Sequence, residues 1–162
     1  MNKLSAMVRK LTEGGVNFVL VGGYAAVTHG ASMMTQDVDI CCRFSRDNLE
    51  RLARALADLH PRHRLTPQKL PLELSDRLFR DLKNLYLETD LCVLDCLSEV
   101  AGVGDYDEVL RQSVEIETSA GKFRVLSIDS LIDAKEAMNR PHDRITAAQL
   151  KAIKERRGKS PG

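Results

Sequence analysis

Asp37 and Asp39 stand two residues apart in the segment Thr35-Gln36-Asp37-Val38-Asp39-Ile40. Alternate side chains of an extended strand share a face, so the two carboxylates lie side by side while Val38 and Ile40 turn to the core. Neighbouring carboxylates repel, and both stay ionised only where something cationic sits between them. A hard divalent cation such as Mg2+ or Mn2+ answers that need. One or two protein carboxylates suffice for Mg2+ when phosphate oxygens complete the shell. The same spacing also occurs on a solvated edge strand.

Gly22-Gly23 follows the apolar run Phe18-Val19-Leu20-Val21 and precedes the small-residue segment from Tyr24 to His29. A strand, a glycine pair and a helix start put free backbone N–H groups where an anion such as phosphate can approach closely. Glycine pairs also make ordinary turns. Together, phosphate donors and a carboxylate pair describe a pocket for a nucleoside triphosphate.

Two further charges belong to this picture. Asp95 sits inside the apolar strand Cys92-Val93-Leu94-Asp95-Cys96-Leu97. A buried carboxylate without a partner is strongly disfavoured, and beside Asp37 and Asp39 it completes a three-acid set. Asp90 is the rival acid, but it falls in the expected turn before that strand. Lys135 lies in the apolar stripe of a helix, four residues after Leu131 and three after Ile132. An inward lysine needs a carboxylate or a phosphate; the alternative is a lysine snorkelling at the helix margin. Arg140 and Asp143, on either side of Pro141, pair either with each other or with the site, and the structural role is the preferred reading.

The elements that must position these groups are legible in outline. Leu4, Met7, Val8 and Leu11 predict a helix over 2–13, stopped by Gly14-Gly15. The uninterrupted apolar run up to Val21 predicts a central strand buried on both faces, and a short helix should run from Gly23 to about His29. Residues 37–43 read as the second strand. Ser45 caps the next helix, whose stripe is Leu49, Leu52, Leu56 and Leu59. Between residues 61 and 83 three prolines break every period, and Arg62-His63-Arg64 stands out only faintly. Strands over 84–89 and 92–97 form a hairpin around Asp90-Leu91, and strands over 113–118 and 122–126 form another around Ala120-Gly121. A short helix follows Asp105. Ser127 caps a helix to about Asn139, and Asp143 starts the last one, to about Arg157. The expected fold class is α/β or α+β, a mixed sheet flanked by helices. One domain over 1–157 and a frayed tail over 158–162 complete it.

Composition adds bounds. The hydrophobic fraction of 43% supports an ordinary core, and 24 basic against 23 acidic side chains exert no general pull on nucleic acid or membrane. No apolar run approaches the roughly 20 residues that span a bilayer, and the N-terminus lacks a secretory apolar segment, so a cytoplasmic location is expected. Cys41, Cys42, Cys92 and Cys96 fit that setting as buried reduced thiols.

These residues resemble the DNA polymerase beta-type nucleotidyltransferase superfamily. Its pattern is an apolar strand, Gly-Gly or Gly-Ser, a short helix, Asp-x-Asp on the next strand and a third acid on a later one. Gly22, Gly23, Asp37, Asp39 and Asp95 stand at those positions. The nearer likeness is to small members, the minimal nucleotidyltransferases and the toxin–antitoxin-like proteins. It covers GGYAAVTHG, TQDVDI, LETDLCVLDCL and the stretch from Lys135 to Asp143. The resemblance implies that Asp37 and Asp39 hold Mg2+ and triphosphate oxygens and that Asp95 helps activate an acceptor hydroxyl. The acceptor could be a protein, an RNA or a small molecule, and a partner protein encoded nearby fits the paired-system members. Two positions depart from the pattern. Met33-Met34 replace an arginine common in small relatives, and Cys92 replaces a turn glycine. The competing reading is a non-catalytic binding module of a toxin–antitoxin-type pair. A metal-dependent phosphohydrolase is disfavoured, because His29, His60, His63 and His142 form no obvious cluster.

Overall fold

The structure, a computed structural model, describes residues 1–159. Helix α1 (Lys3–Glu13) starts at Asn2, whose side chain accepts from the Ser5 N–H, and buries the four expected apolar residues. Strand β1 (Phe18–Val21) is buried throughout and runs directly into α2 (Gly22–Thr28), one residue earlier than expected. Strand β2 (Asp37–Cys42) carries the acid pair. Helix α3 (Arg46–Leu56) is capped by Ser45, as the sequence implies, and continues in a single 3-10 turn to Leu59. Asn48 of α3 is buried and pins the chain ahead of β1, accepting from the Asn17 N–H and donating to the Asn17 carbonyl.

The proline-rich segment contains two short elements that periodicity misses, β3 (Arg62–His63) and α4 (Asp76–Asp81). The first expected hairpin follows as β4 (Asn84–Glu88) and β5 (Val93–Leu97). Thr89 ties its turn, accepting from the Leu91 and Cys92 N–H groups. A small ribbon, β6 (Glu99–Val100) with β7 (Gly104–Asp105), leads into α5 (Tyr106–Arg111). The second hairpin is β8 (Ser113–Thr118) with β9 (Gly121–Leu126). Helix α6 (Ile128–Met138) is capped by Ser127, and α7 (Pro141–Lys159) follows.

Helix α7 begins at Pro141 rather than Asp143. Proline has no N–H to leave unsatisfied and its φ suits a first helical position, so it starts this helix rather than interrupting it. The helix also includes Gly158 and Lys159, where fraying was expected. The rest of that expected tail, 160–162, lies outside the described residues.

Seven strands form one mixed sheet in the order β3-β4-β5-β2-β1-β9-β8. Strand β1 is antiparallel to β2 and parallel to β9; β2 is parallel to β5. Helix α1 packs on α3, β2 and β9, whereas α2 packs on β2 and α6, and α6 on α7. Cys41, Cys42 and Cys96 are buried as expected, but Cys92, in the hairpin turn, is only half-buried. Among the described residues no helix is long and apolar enough to cross a membrane.

Candidate active site

Register brings the acids together. Val21 pairs with Asp39, Asp39 with Asp95, and Asp95 with Tyr86, a single row across four adjacent strands. Val38 and Ile40 are fully buried, so the pleat turns Asp37 and Asp39 to the opposite face. The parallel pairing of β2 with β5 is what places Asp95 beside a residue 56 positions earlier in the chain.

Gly22 closes one end of the row. Its φ of +72° lies in the left-handed region, and a Cβ there would sit 2.9 Å from the Asp39 Cβ and against its carboxylate. Only glycine satisfies both the turn and the close approach. No side chain caps the first turn of α2, so its N–H groups have no side-chain acceptor. At Gly23 a Cβ would meet Met33 Cε at 3.2 Å, so the loop ahead of β2 folds down over the second glycine.

The electrostatics are strained in one place. Burial, and then the neighbouring charges of Asp95 and Asp37, push the Asp39 carboxyl up to about 6, with Lys135 and Arg64 pulling weakly the other way. Asp95 is better served. Arg64 grips both its oxygens, Nε to Oδ1 at 3.0 Å and Nη2 to Oδ2 at 2.6 Å, and its guanidinium also lies over the Tyr86 ring. The buried charge therefore has a partner, as burial demands, but the partner is a residue the sequence reading did not connect to it. Among the described residues no group of three His, Cys, Asp or Glu side chains is drawn together closely enough to form a ready metal cage.

Lys135 lies on the inner side of α6, only 13% exposed, with Nζ 3.6 Å from Asp143 Oδ1. The expectation of an inward lysine with a carboxylate partner holds. Arg140 and Asp143 also pair, Nε to Oδ2 at 2.6 Å. Burial raises the Asp143 carboxyl, but the hydrogen bonds from Arg140 and the charge of Lys135 outweigh it and hold the group below its ordinary value. Asp90, the rival acid, stays in its turn, half exposed and paired with His60 and Arg62. His29 is buried against the Leu126 carbonyl, away from the acids, and burial lowers its pKa.

Gly22, Asp39, Asp95, Tyr86, Lys135 and Arg140 line one cavity of about 420 Å3, walled on its apolar side by residues such as Leu126 and Leu131. Asp37 is more exposed and borders a separate, open cleft of about 720 Å3 together with Lys3, Thr35, Arg62 and Cys92. The larger cleft is not where the acids converge; the smaller cavity is.

Comparison with solved structures decides the fold. The lincosamide antibiotic adenylyltransferase LnuA, solved with lincomycin bound, superposes with a TM-score of 0.63 over 93% of this chain and 96% of its own, at 14% identity. The chain has the nucleotidyltransferase fold. An antigenic nucleotidyltransferase-like protein from Paracoccidioides brasiliensis matches 93% of this chain and 72% of its own, with a TM-score of 0.58 and 14% identity. A Thermotoga maritima protein assigned as a nucleotidyltransferase matches 93% and 89%, with a TM-score of 0.55 and 16% identity. No family model matches the sequence, and no curated protein matches it either. Gly22, Asp39 and Asp95, which the sequence singles out, stand together in one row of the sheet. Arg64 and the burial of Asp143 are additions that the resemblance did not supply.

Proposed function

We propose that the protein transfers a nucleoside monophosphate from a nucleoside triphosphate to an acceptor hydroxyl on a protein, an RNA or a small molecule. The observation that carries this reading is the in-register pairing of Asp39 with Asp95 beside Gly22, in one cavity with Lys135. The nucleotidyltransferase fold supports it.

Asp37 and Asp39 are the residues that would hold Mg2+ or Mn2+, with Asp95 the third acid of the set. They suit such an ion: their donors are hard carboxylate oxygens, and Asp39 carries a charge that its surroundings disfavour until a cation arrives. When bound, the ion would neutralise the charge that builds up on the attacking and leaving oxygens.

The chain's own groups account for the remaining steps. The backbone N–H groups of Gly22 and Gly23 and the Lys135 ammonium hold the triphosphate. The acceptor oxygen donates its electron pair to the α-phosphorus while its proton passes to Asp95. The bond from the α-phosphorus to the bridging oxygen breaks, and pyrophosphate leaves with that electron pair. Each Asp95 oxygen has a second lone pair, so it can accept the acceptor's proton while Arg64 remains hydrogen-bonded.

A second reading is a non-catalytic binding module of a toxin–antitoxin-type pair. The ion pair of Arg64 with Asp95 favours it, because it gives that acid a structural partner that would stabilise the sheet without any catalysis.

Calorimetric titration with each nucleoside triphosphate in Mg2+ tests the binding half of the proposal. The wild type should bind at least one of them. Lys135→Met keeps the apolar stem and removes the charge, so it should bind about tenfold more weakly or worse, the worth of one charged hydrogen bond. Equal affinity in the two proteins would make Lys135 a helix-margin residue, and no binding by wild type would remove the proposal.

A further inference from the structure

Asp143 is fully buried, although it is the third residue of α7. It accepts from the Arg140 backbone N–H at 3.2 Å, which fits the cap of a helix whose first residue is Pro141. A cap needs no burial, however, and burying a carboxylate is costly without compensation. The compensation is two basic side chains on one carboxylate. Arg140 donates from Nε at 2.6 Å and from Nη2 at 3.3 Å, and Lys135 Nζ stands 3.6 Å from Oδ1. His142 Nε2 also comes within 3.6 Å. Asn139 makes this possible. It adopts a left-handed conformation, φ 52°, at the end of α6 and turns the chain sharply enough that residues 135 and 140 converge.

Around Asp143 two cations meet one anion, and both cations also interact with Asp39 across the cavity. Both cations line the cavity that holds Gly22, Asp39 and Asp95. The guanidinium has five N–H donors and commits two to Asp143, and the ammonium has donors to spare. The Arg140 side chain is 51% exposed, so its remaining donors are accessible.

We infer that Asp143 is a positioning residue that holds Lys135 and Arg140 as a two-cation clamp for a triphosphate chain, and that Arg140 is itself a phosphate-binding residue. The inference rests on the nucleotidyl-transfer reading for the identity of the ligand and on the three side chains for the clamp.

The sign of one mutational effect separates positioning from simple charge neutralisation. If Asp143 only neutralises the two cations and caps the helix, Asp143→Asn frees a positive charge and phosphate binding tightens or stays the same. If it positions them, binding weakens although the cavity becomes more positive. The probes are inorganic tripolyphosphate and the nucleoside triphosphate that binds best, titrated in Mg2+ against wild type, Asp143→Asn and Arg140→Gln, with thermal melting of each protein. Both variants should lose about tenfold or more in affinity for both probes. Arg140 is half exposed, so Arg140→Gln reports even where Asp143→Asn fails to fold. Unchanged affinity in Arg140→Gln, or unchanged or tighter binding in a folded Asp143→Asn, overturns the clamp. Wild type that binds tripolyphosphate but no nucleotide, with both variants weakened, keeps the clamp and removes the nucleotidyl-transfer reading. Wild type that binds nucleotide as tightly as both variants do keeps that reading and removes the clamp. Wild type that binds neither probe removes both.

Discussion

Asp95→Asn should keep nucleotide binding and lose transfer by about two orders of magnitude or more. Removing a general base or its equivalent costs about 10²–10⁴-fold. The substitution is nearly isosteric and leaves an oxygen that can still accept from Arg64, so the strand, its register with β2 and the cavity should persist. What disappears is the ionised oxygen that takes the acceptor's proton. Binding of the triphosphate relies on Gly22, Gly23 and Lys135 instead, which explains why the two properties should separate. Rapid-mixing measurements of transfer beside calorimetric titration read both on the same sample. Undiminished transfer in Asp95→Asn would remove Asp95 from the chemistry.

Asp39→Asn should abolish transfer and at the same time make the ligand-free protein more stable. Burial and the charges of Asp95 and Asp37 raise the Asp39 carboxyl from 3.8 to about 6 in the folded chain. A group whose folded pKa is raised binds its proton more tightly folded than unfolded. Its ionised form therefore destabilises the fold. That penalty is absent below the unfolded value, grows as pH rises between the two values and is complete above about 6. A shift of this size corresponds to at most about 3 kcal/mol. Denaturant unfolding at pH 7 should show Asp39→Asn more stable than wild type, and the gap should close as pH falls towards 4. A variant less stable than wild type at pH 7 would mean that the Asp39 charge is already compensated in the fold.

Much of this site was legible because local rules and long-range structure agree there. The unbroken apolar run of β1 announced a central strand, and the Asp-x-Asp alternation announced one polar face. A lone acid in an apolar strand pointed to Asp95, and register confirmed its place opposite Asp39. Lys135 was found because its helix stripe demanded a partner. Arg64 was not found. It stands 31 residues from Asp95, follows a two-residue strand too short to show any period, and reaches the site only through the pairing of β3 with β4. The Arg140–Asp143 contact was visible as a three-residue spacing, but its burial depends on how α7 packs against α6, which no local pattern encodes. The start of α2 at Gly22 was missed by one residue. The left-handed φ of Gly22 lets the helix leave the strand without an intervening turn.

The most direct test of nucleotidyl transfer is label incorporation. The protein is incubated with each α-labelled nucleoside triphosphate, Mg2+ and a lysate of its source cells, and label is followed into protein, RNA and small molecules, with Asp39→Asn as the control. Label appearing in one of these fractions with wild type and absent with Asp39→Asn is the predicted result. Label in no fraction with any of the nucleotides, from wild type that binds nucleotide, would contradict transfer and leave the fold as a binding module.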